Sequence, residues 1–200
     1  MKNYTEILEP DKYYHIYNHA VGRDNLFKKD DNYNFFLKKY TQYISPLADT
    51  FAYCLMPNHF HIAIRIKSED DISTLPKFQN FAKVENFISK QFSNLFSSYA
   101  QSFNKQQNRR GTLFEKPFKR IHINSDEYFR TVIHYIHYNP VHHGFVDDLR
   151  DWKHTSFESF FSEKATQLKR REVIEIFGDK ENFYEFHKKE VDKKIILELE

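Results

Sequence analysis

The sequence predicts an α+β fold of the ferredoxin-like type: a split βαβ arrangement with a four-stranded antiparallel sheet, helices on one face, and an added helix that carries a tyrosine. Three observations support this prediction. Segments typical of strands and helices follow one another in the order strand, helix, strand, strand, helix, strand. Residues 59–67 alternate between two kinds of side chain, as in a strand whose one face is buried. A further amphipathic segment with helical spacing follows the last strand.

The first half of the predicted sheet follows from local pattern. A tyrosine-rich strand is expected over residues 12–17, and Asp30 or Asp31 is expected to cap the helix that comes next. Residues 49–55 form the second predicted strand. Only a short turn separates it from the strand that begins at His59, so these two strands are expected to pair as a tight antiparallel hairpin.

The second half contains a long helix and an edge strand. Phenylalanine, leucine and tyrosine side chains recur at helical spacing from about Ser73 to Asn104. Residues 113–123 are expected to form the fourth strand. Pro117 lies inside this segment and has no backbone N–H to donate, so we place the fourth strand at an edge of the sheet.

A third helix is expected to begin after Ser125, whose side chain is suited to capping it, and to end at Asn139 before Pro140. Tyr135 and Asn139 are one helical turn apart on a stripe that borders the apolar face of this helix. Tyr138 is expected on the far side, toward solvent. A helix laid across the open face of the sheet would therefore bring Tyr135 and Asn139, but not Tyr138, toward the sheet.

The composition limits the possible classes of protein. A chain of 200 residues can bury a real core, and we expect one domain over residues 1–161 and a helical appendage, charged at its end, over residues 162–200. The formal net charge is only +2, so a nucleic-acid surface has to come from local clustering. One cysteine, Cys54, allows no intrachain disulfide. No secretory signal or membrane-spanning segment is recognisable, so we expect a cytoplasmic protein without a membrane partner.

His59 and His61 point to the same side of the third predicted strand, while its isoleucines point to the other. A one-residue slip would bury the histidines and Arg65 in place of the isoleucines, so the register is well determined. Neutral imidazole is the commonest protein ligand for metal ions, and a rigid His-x-His pair is a plausible start to a metal site. The alternative from these residues alone is two histidines on a half-solvated sheet face.

Two motifs in this order resemble those of the single-strand DNA transposases with one catalytic tyrosine. The segment Met-Pro-Asn-His59-Phe60-His61 resembles their His-hydrophobe-His motif. The segment that runs from Tyr135 through Asn139 to Gly144 resembles the tyrosine helix of their REP-associated branch. The resemblance extends over residues 12–161 and includes a Trp-x-x-Ser-Ser segment that begins at Trp152, in which Thr155 replaces the first serine.

This resemblance implies a reaction and a set of residues. His59, His61 and Asn139 would bind a divalent metal ion, magnesium or manganese, and no organic cofactor would be needed. Tyr135 would attack a DNA phosphodiester and form a 5′-phosphotyrosine link. A free phenol is a weak nucleophile because its pKa is near 10, so the attack needs a metal or cationic environment. The residues alone leave zinc or nickel open as the metal, and they leave Tyr135 open as an ordinary packing tyrosine.

A DNA enzyme also needs a surface that binds the phosphate backbone. Basic residues cluster around the fourth predicted strand, with Phe114 and Phe118 between them as possible stacking rings. A further basic residue lies in the loop after the first strand. The predicted DNA-binding residues are Arg23, Lys105, Arg109, Arg110, Lys116, Lys119 and Arg120.

The first hypothesis is therefore a transposase that nicks and joins single-stranded DNA at short palindromic hairpins, with a homodimer as a possible assembly. A second is a domesticated protein that binds DNA hairpins without turnover. A third is an unrelated metal hydrolase that uses His59 and His61 with water as the nucleophile. His134, His137, His142 and His143 could assist a site in the first case, or only complement the dipole at the end of their helix.

Overall fold

The computed structural model describes residues 6–199. The first part of the chain, in order, contains the strands and helices of the predicted fold: β1 (Tyr13–His19), α1 (Asp30–Tyr43), β2 (Ala48–Leu55), β3 (His59–Ile66), α2 (Glu69–Ser73), α3 (Val84–Gln106), β4 (Lys119–Ile123) and α4 (Asp126–His142). The last part contains three short helices: α5 (Arg170–Phe177), α6 (Lys180–His187) and α7 (Lys193–Leu199).

The four strands form one antiparallel sheet in the order β2-β3-β1-β4. This is the predicted ferredoxin-like arrangement, and β4 occupies an edge as predicted. The strand itself begins only at Lys119, so Pro117 lies before it. In the register of β1 with β3, His19 is opposite His59 and Tyr17 is opposite His61. The histidine pair therefore lies in the middle of the sheet, with β1 as its neighbour.

Helices α1 and α3 cover one face of the sheet. They pack on the side of β3 that carries Phe60 and its isoleucines, and the three aromatic rings of Phe36, Phe60 and Tyr99 lie in this core. The hydroxyl group of Tyr99 also donates a hydrogen bond to the carbonyl oxygen of Leu26, which ties the loop after β1 to α3. The apolar row predicted for β3 is thus buried as expected.

The opposite face of the sheet, which we expected to be open apart from the added helix, is covered by further helices. Helix α4 lies on it, and the C-terminal helices pack in turn against α4. Apolar side chains surround α4, and even Tyr138, which was expected in solvent, is half-buried. Because α4 is packed between two layers, the histidines on this face of the sheet are in the interior of the molecule.

Several boundaries differ from the sequence prediction. Helix α4 is capped by the Ser125 side chain as predicted, but it continues through Pro140 to His142. Pro140 cannot donate a backbone hydrogen bond, but the last turn is closed by the bond from the His143 N–H to the Asn139 carbonyl oxygen. Asp30 lies in the first turn of α1, and Lys29 is its N-cap. The long predicted helix begins only at Val84, after a short helix and a loop.

The C-terminal helices are joined to the sheet as well as to α4. Leu168 forms a bridge with Thr50 of β2, and Gly178 separates α5 from α6 with a positive φ of 96°. The end of the appendage is rich in charge, yet Ile196 and Leu199 of α7 are buried. The boundary predicted between residues 161 and 162 stays a prediction. None of the helices in residues 6–199 is both long and apolar enough to cross a membrane.

Candidate metal and tyrosine site

The first residues of β3 meet the last turns of α4 at a buried cluster. The side chains of His59 and His61 are both buried, and their ring centroids are 5.1 Å apart. Asn139 of α4 reaches this pair: its Oδ1 atom lies 3.0 Å from Nε2 of His59. The sequence predicted these three residues as metal ligands, and the fold brings them together from two elements that are far apart along the chain.

The contacts of His59 suit a cation. Burial lowers the pKa of His59 to about 3, partly offset by its contact with Asn139, so the ring is neutral near pH 7 and has one N–H. Its Nδ1 atom lies 2.9 Å from Oδ1 of Asn58, and its Nε2 atom faces the Oδ1 of Asn139. Both oxygens only accept hydrogen bonds. When the proton is on Nδ1, two lone pairs face each other at Nε2 and Asn139 Oδ1, an arrangement that a metal ion between them would stabilise.

His61 has a similar division between its two ring nitrogens. Its Nδ1 atom lies 2.9 Å from Nε2 of His15. Its buried Nε2 atom has no hydrogen-bond partner among the described residues. Burial holds the pKa of His61 well below its ordinary value, and it lowers that of His15 to about 3. The ring of His61 is therefore neutral near pH 7, with a nitrogen that is available to a metal ion.

These features together test whether the residues fit a divalent metal ion. They fit, because the nitrogens are neutral, the Asn139 oxygen lies 3.0 Å from Nε2 of His59, and the Nε2 atom of His61 has no hydrogen-bond partner within residues 6–199. In residues 6–199, no three or more His, Cys, Asp or Glu side chains are grouped so as to hold a metal. The predicted set differs from such a group in having an amide oxygen as its third ligand.

Tyr135 lies directly against the histidine pair of the same chain. Its ring is completely buried, with its centroid 5.2 Å from that of His61 and 5.9 Å from that of His15, in edge-to-face geometry. The Nδ2 atom of Asn139 donates to the Tyr135 carbonyl oxygen at 3.4 Å, across one helical turn. The structure therefore places Tyr135 beside His61 and makes it a packed core residue, and its catalytic role stays a prediction.

Sequence reasoning missed two histidines of β1. His15 contacts His61, and the ring of His19 stacks on that of His59 with centroids 4.9 Å apart. The signal was present, because His15, Tyr17 and His19 alternate along β1 and share the face of the histidine pair. Pairing β1 with β3 would have placed them beside it.

The three histidines of α4, together with His143 directly after it, divide into two groups. His143, at the end of the helix, packs against His59 with ring centroids 4.9 Å apart, and against His142. His134 and His137 are buried on the other side of α4, against the C-terminal helices. Only the first group lies near the candidate metal site, so His134 and His137 need a different explanation.

The predicted basic surface is only partly exposed. Lys105, Arg110, Lys116 and, in the loop after β1, Arg23 are exposed, whereas Lys119 and Arg120 are half-buried. Arg120 lies over the ring of Phe118, 4.8 Å from its centroid, and burial lowers its pKa. Their role in DNA binding stays a prediction.

Arg109 and Phe114 have structural contacts. Arg109 donates through Nε to Asp24 at 2.8 Å, and its other nitrogens contact Asn104 and two backbone carbonyl oxygens. It therefore fastens the loop after α3 to the loop after β1. Phe114 is buried in the core beneath α3, so it is not available to stack on a base, contrary to the expectation for this ring. Phe118 is half-buried and packs against Phe92.

The segment that begins at Trp152 braces β2 next to the site. The Trp152 indole N–H donates to the carbonyl oxygen of Leu55 at 3.1 Å, and the Thr155 hydroxyl donates to that of Tyr53 at 3.1 Å. Thr155 thus supplies a hydroxyl group where the resembling motif has serine. Ser156 accepts the backbone N–H of Tyr53 at 2.9 Å.

The fold and the site together define an α+β protein with a histidine pair and a tyrosine helix on one face of a ferredoxin-like sheet. A solved structure described as a REP-associated tyrosine transposase bound to a REP hairpin has the same fold: the TM-score is 0.60 over 82% of this chain and 87% of that chain, at 16% identity. A curated Haemophilus influenzae protein, named as a candidate REP-associated tyrosine transposase, is 30% identical over 111 residues.

The resemblance that the two motifs predicted is confirmed by these comparisons. The alignment with the Haemophilus influenzae protein covers 54% of this chain and 58% of that protein, so the chain matches somewhat more than half of its relative's length. No protein-family model matches the sequence. The solved structure shows the fold, and the relative shows the similarity in sequence.

Proposed function

We propose that this protein is a metal-dependent tyrosine transposase that nicks and joins single-stranded DNA at short palindromic hairpins. The observation that carries the proposal is the meeting of Tyr135 with His59, His61 and Asn139 in one cluster. These are the residues that the resemblance assigns to the reaction, and they come from two elements that only the fold brings together. The similarity to named REP-associated tyrosine transposases supports the same proposal.

The proposed reaction is a phosphoryl transfer. The phenolic oxygen of Tyr135 attacks a backbone phosphorus and gives up its proton, and the bond to the 3′-oxygen breaks. The products are a 5′-phosphotyrosine link and a free 3′-OH, and attack by a 3′-OH on that link rejoins strands. A magnesium or manganese ion held by His59, His61 and Asn139 would supply Lewis-acid polarisation of the phosphate. No ATP or organic cofactor is required, because the link keeps the energy of the broken bond.

Several residues prepare this site before DNA arrives. Asn58 contacts Nδ1 of His59, and His15 contacts Nδ1 of His61, so the Nε2 atom of each ring is the one that would bind a metal ion. Asn139 is held one turn from Tyr135 on the same helix. Because the Tyr135 ring is completely buried, the side chains that cover its hydroxyl group have to move aside before a phosphate can reach it.

The proposed partner is single-stranded or hairpin DNA, as the description of the solved relative suggests for that protein. The exposed basic residues around β4 and Arg23 would bind its phosphates. A cytoplasmic location and a possible homodimer belong to the same proposal. In the single chain, Tyr135 and the histidine pair already meet without a partner subunit.

The proposal is tested by incubating the purified protein with a labelled library of single-stranded hairpins and manganese, followed by denaturing gels. Wild-type protein is expected to form a covalent adduct that needs both metal and Tyr135. Tyr135→Phe should bind hairpins with unchanged affinity and form no adduct. The matched control is Tyr138→Phe, which changes a half-buried tyrosine of the same helix and should leave the adduct intact.

The outcomes separate the alternatives. Hairpin binding without any adduct would favour a non-catalytic DNA-binding protein. Metal-dependent cleavage without an adduct would favour a hydrolase that uses water. An adduct that persists in Tyr135→Phe would overturn the assignment of Tyr135.

A further inference from the structure

A chain of buried hydrogen bonds joins the tyrosine helix to the C-terminal helices. His137 of α4 contacts His187 of α6, with 2.9 Å between Nδ1 and Nε2, and contacts Ser156 on its other side, with 2.8 Å between Nε2 and Oγ. His187 in turn contacts the carbonyl oxygen of Phe183, 2.7 Å from its Nδ1 atom. His137, His187 and Ser156 are all buried. None of these contacts involves the candidate metal site.

The carbonyl group of Phe183 determines which atom donates in each hydrogen bond of this series. The Phe183 oxygen only accepts, so the Nδ1 atom of His187 carries the proton and its Nε2 atom accepts from His137. His137 therefore donates through Nδ1, and its Nε2 atom accepts the Ser156 hydroxyl proton. The Ser156 oxygen accepts the backbone N–H of Tyr53 on β2. All donors are matched to acceptors when both imidazoles are neutral.

This series of hydrogen bonds holds α4 between the sheet and the C-terminal helices. Side chains two positions apart on a helix are related by a rotation of about 200° around the helix axis, so they point to nearly opposite sides. Tyr135 accordingly faces the histidine pair on the sheet, whereas His137 faces α6. The same hydroxyl group that holds His137 is fixed to β2, the strand adjacent to β3. These hydrogen bonds thus fix the position of α4 relative to both the sheet and the C-terminal helices.

Two further contacts tie the C-terminal helices to the same layers. Arg130 of α4 donates to the carbonyl oxygen of Ile176 at 3.1 Å. Arg65, on the histidine side of β3, contacts Glu172 of α5 at 2.9 Å and Asp49 of β2 at 2.6 Å. The C-terminal helices are therefore attached both to α4 itself, through Arg130, and to the sheet beneath α4, through Arg65.

We propose that the C-terminal helices are a positioning element for the tyrosine helix and that His187 is the positioning residue through which they act. This inference rests on the proposed function, because it concerns the placement of Tyr135 and Asn139 for that reaction. Loss of the His187 acceptor leaves the Nδ1–H of His137 buried without a partner. Helix α4 then shifts or loosens, and a displacement of about 1 Å in a reacting group can cost about 10²-fold in rate.

The test compares His187→Leu with His187→Gln. Leucine fills similar space but cannot accept a hydrogen bond, whereas the glutamine side-chain oxygen can accept from His137. The matched control is Glu181→Gln, an exposed position on the same helix. Single-turnover cleavage of a hairpin selected from the library is measured with manganese, together with the hairpin Kd, the Kd for manganese alone, and hydrogen exchange of α4 and α1.

His187→Leu is expected to slow cleavage about 10²-fold, while the hairpin Kd stays within about twofold of wild type. It should also weaken manganese binding, because Asn139 is displaced together with α4. His187→Gln should recover most of the rate. Exchange should rise in α4 and not in α1. If His187→Leu does not fold, Ser156→Ala provides a second test, because Ser156 lies at the other end of the hydrogen-bond series. Nitrogen NMR of the imidazoles should show the Nδ1–H tautomer for both His137 and His187.

A wild-type cleavage rate and wild-type α4 exchange in His187→Leu would overturn the inference. So would equal rates for the leucine and glutamine variants, because only the acceptor distinguishes them. If wild-type protein cleaves no hairpin, the proposed function fails, and hydrogen exchange with manganese binding still decides whether His187 positions α4 and Asn139.

Discussion

The Nε2 atom of His15 lies 2.9 Å from the Nδ1 atom of His61, and both rings are completely buried. One of the two nitrogens has to donate to the other. If His61 binds a metal ion through Nε2, that atom needs its lone pair, so the proton is on Nδ1 and His15 accepts it. His15 then keeps its own proton on Nδ1. The contact therefore accommodates the tautomer of His61 that a metal site requires, and a bound metal ion would select it.

Replacement of His15 by phenylalanine should weaken manganese binding about 10- to 100-fold, because His61 loses the partner that fixes its orientation and tautomer. Titration calorimetry with manganese alone measures this directly. His122→Phe is the matched control, because His122 is a half-buried histidine of β4 that contacts Tyr14. An unchanged affinity in His15→Phe would contradict the proposed role of His15 in orienting His61.

The sequence predicted much of the fold because the relevant signals are local. The alternation in β3 gave its buried face, and the order of elements gave the sheet with β4 at an edge. Boundaries were less accurate where local signals conflict with tertiary contacts. Pro140 was expected to end α4, but Asn139 and Pro140 are buried, and the hydrogen bond from the His143 N–H to the Asn139 carbonyl oxygen closes one more helical turn.

The covered sheet face and the contacts of the appendage were not predictable in the same way. They depend on pairs far apart in sequence, such as His137 with His187 and Arg65 with Glu172. A motif located His59, His61, Tyr135 and Asn139, because the resemblance covers them. It did not locate His15, since this residue acts through the pairing of β1 with β3.

Arg109 and Arg110 should respond differently to alanine substitution, although both were predicted to bind DNA. Arg109→Ala breaks the contacts with Asp24 and Asn104, so it should lower the free energy of unfolding by about 1–3 kcal/mol. Arg110 is exposed, and Arg110→Ala should leave stability within about 0.5 kcal/mol of wild type. Urea denaturation measures both values.

The DNA measurement gives the complementary result. If Arg110 contacts a phosphate, Arg110→Ala should weaken hairpin binding and reduce the slope of log affinity against log salt by about one. An unchanged slope would remove Arg110 from the DNA surface. Lys105→Ala, at a second exposed position of the basic cluster, provides a comparison.

Phe114 should act as a core residue and not as a base-stacking residue. Its ring packs against Phe96 and Tyr99, with centroids 4.9 Å and 5.9 Å away. Phe114→Ala should therefore cost about 3–5 kcal/mol of unfolding free energy through the cavity that it leaves. Phe114→Leu should recover most of that stability and bind hairpins normally. Normal stability with weakened DNA binding in the alanine variant would support stacking instead.

The stability of the protein should fall in mild acid because histidines are buried as neutral groups. Burial lowers the pKa of His134 from 6.5 to about 4 and holds that of His187 well below its ordinary value. Between these values and 6.5, the unfolded chain binds protons that the folded chain does not. The stabilisation is complete above pH 6.5 and is lost as the pH falls, by up to about 1.4 kcal/mol per pH unit for each group.

Urea midpoints measured from about pH 7 down to about pH 5 should decrease steadily through this range. His134→Phe removes one of the titrating groups and fills the same space beside His187 and Phe186. Its midpoint should therefore fall less steeply with pH than that of the wild type. Equal slopes would mean that His134 does not remain neutral in the folded protein, because a group with the same pKa in both states contributes nothing to the pH dependence.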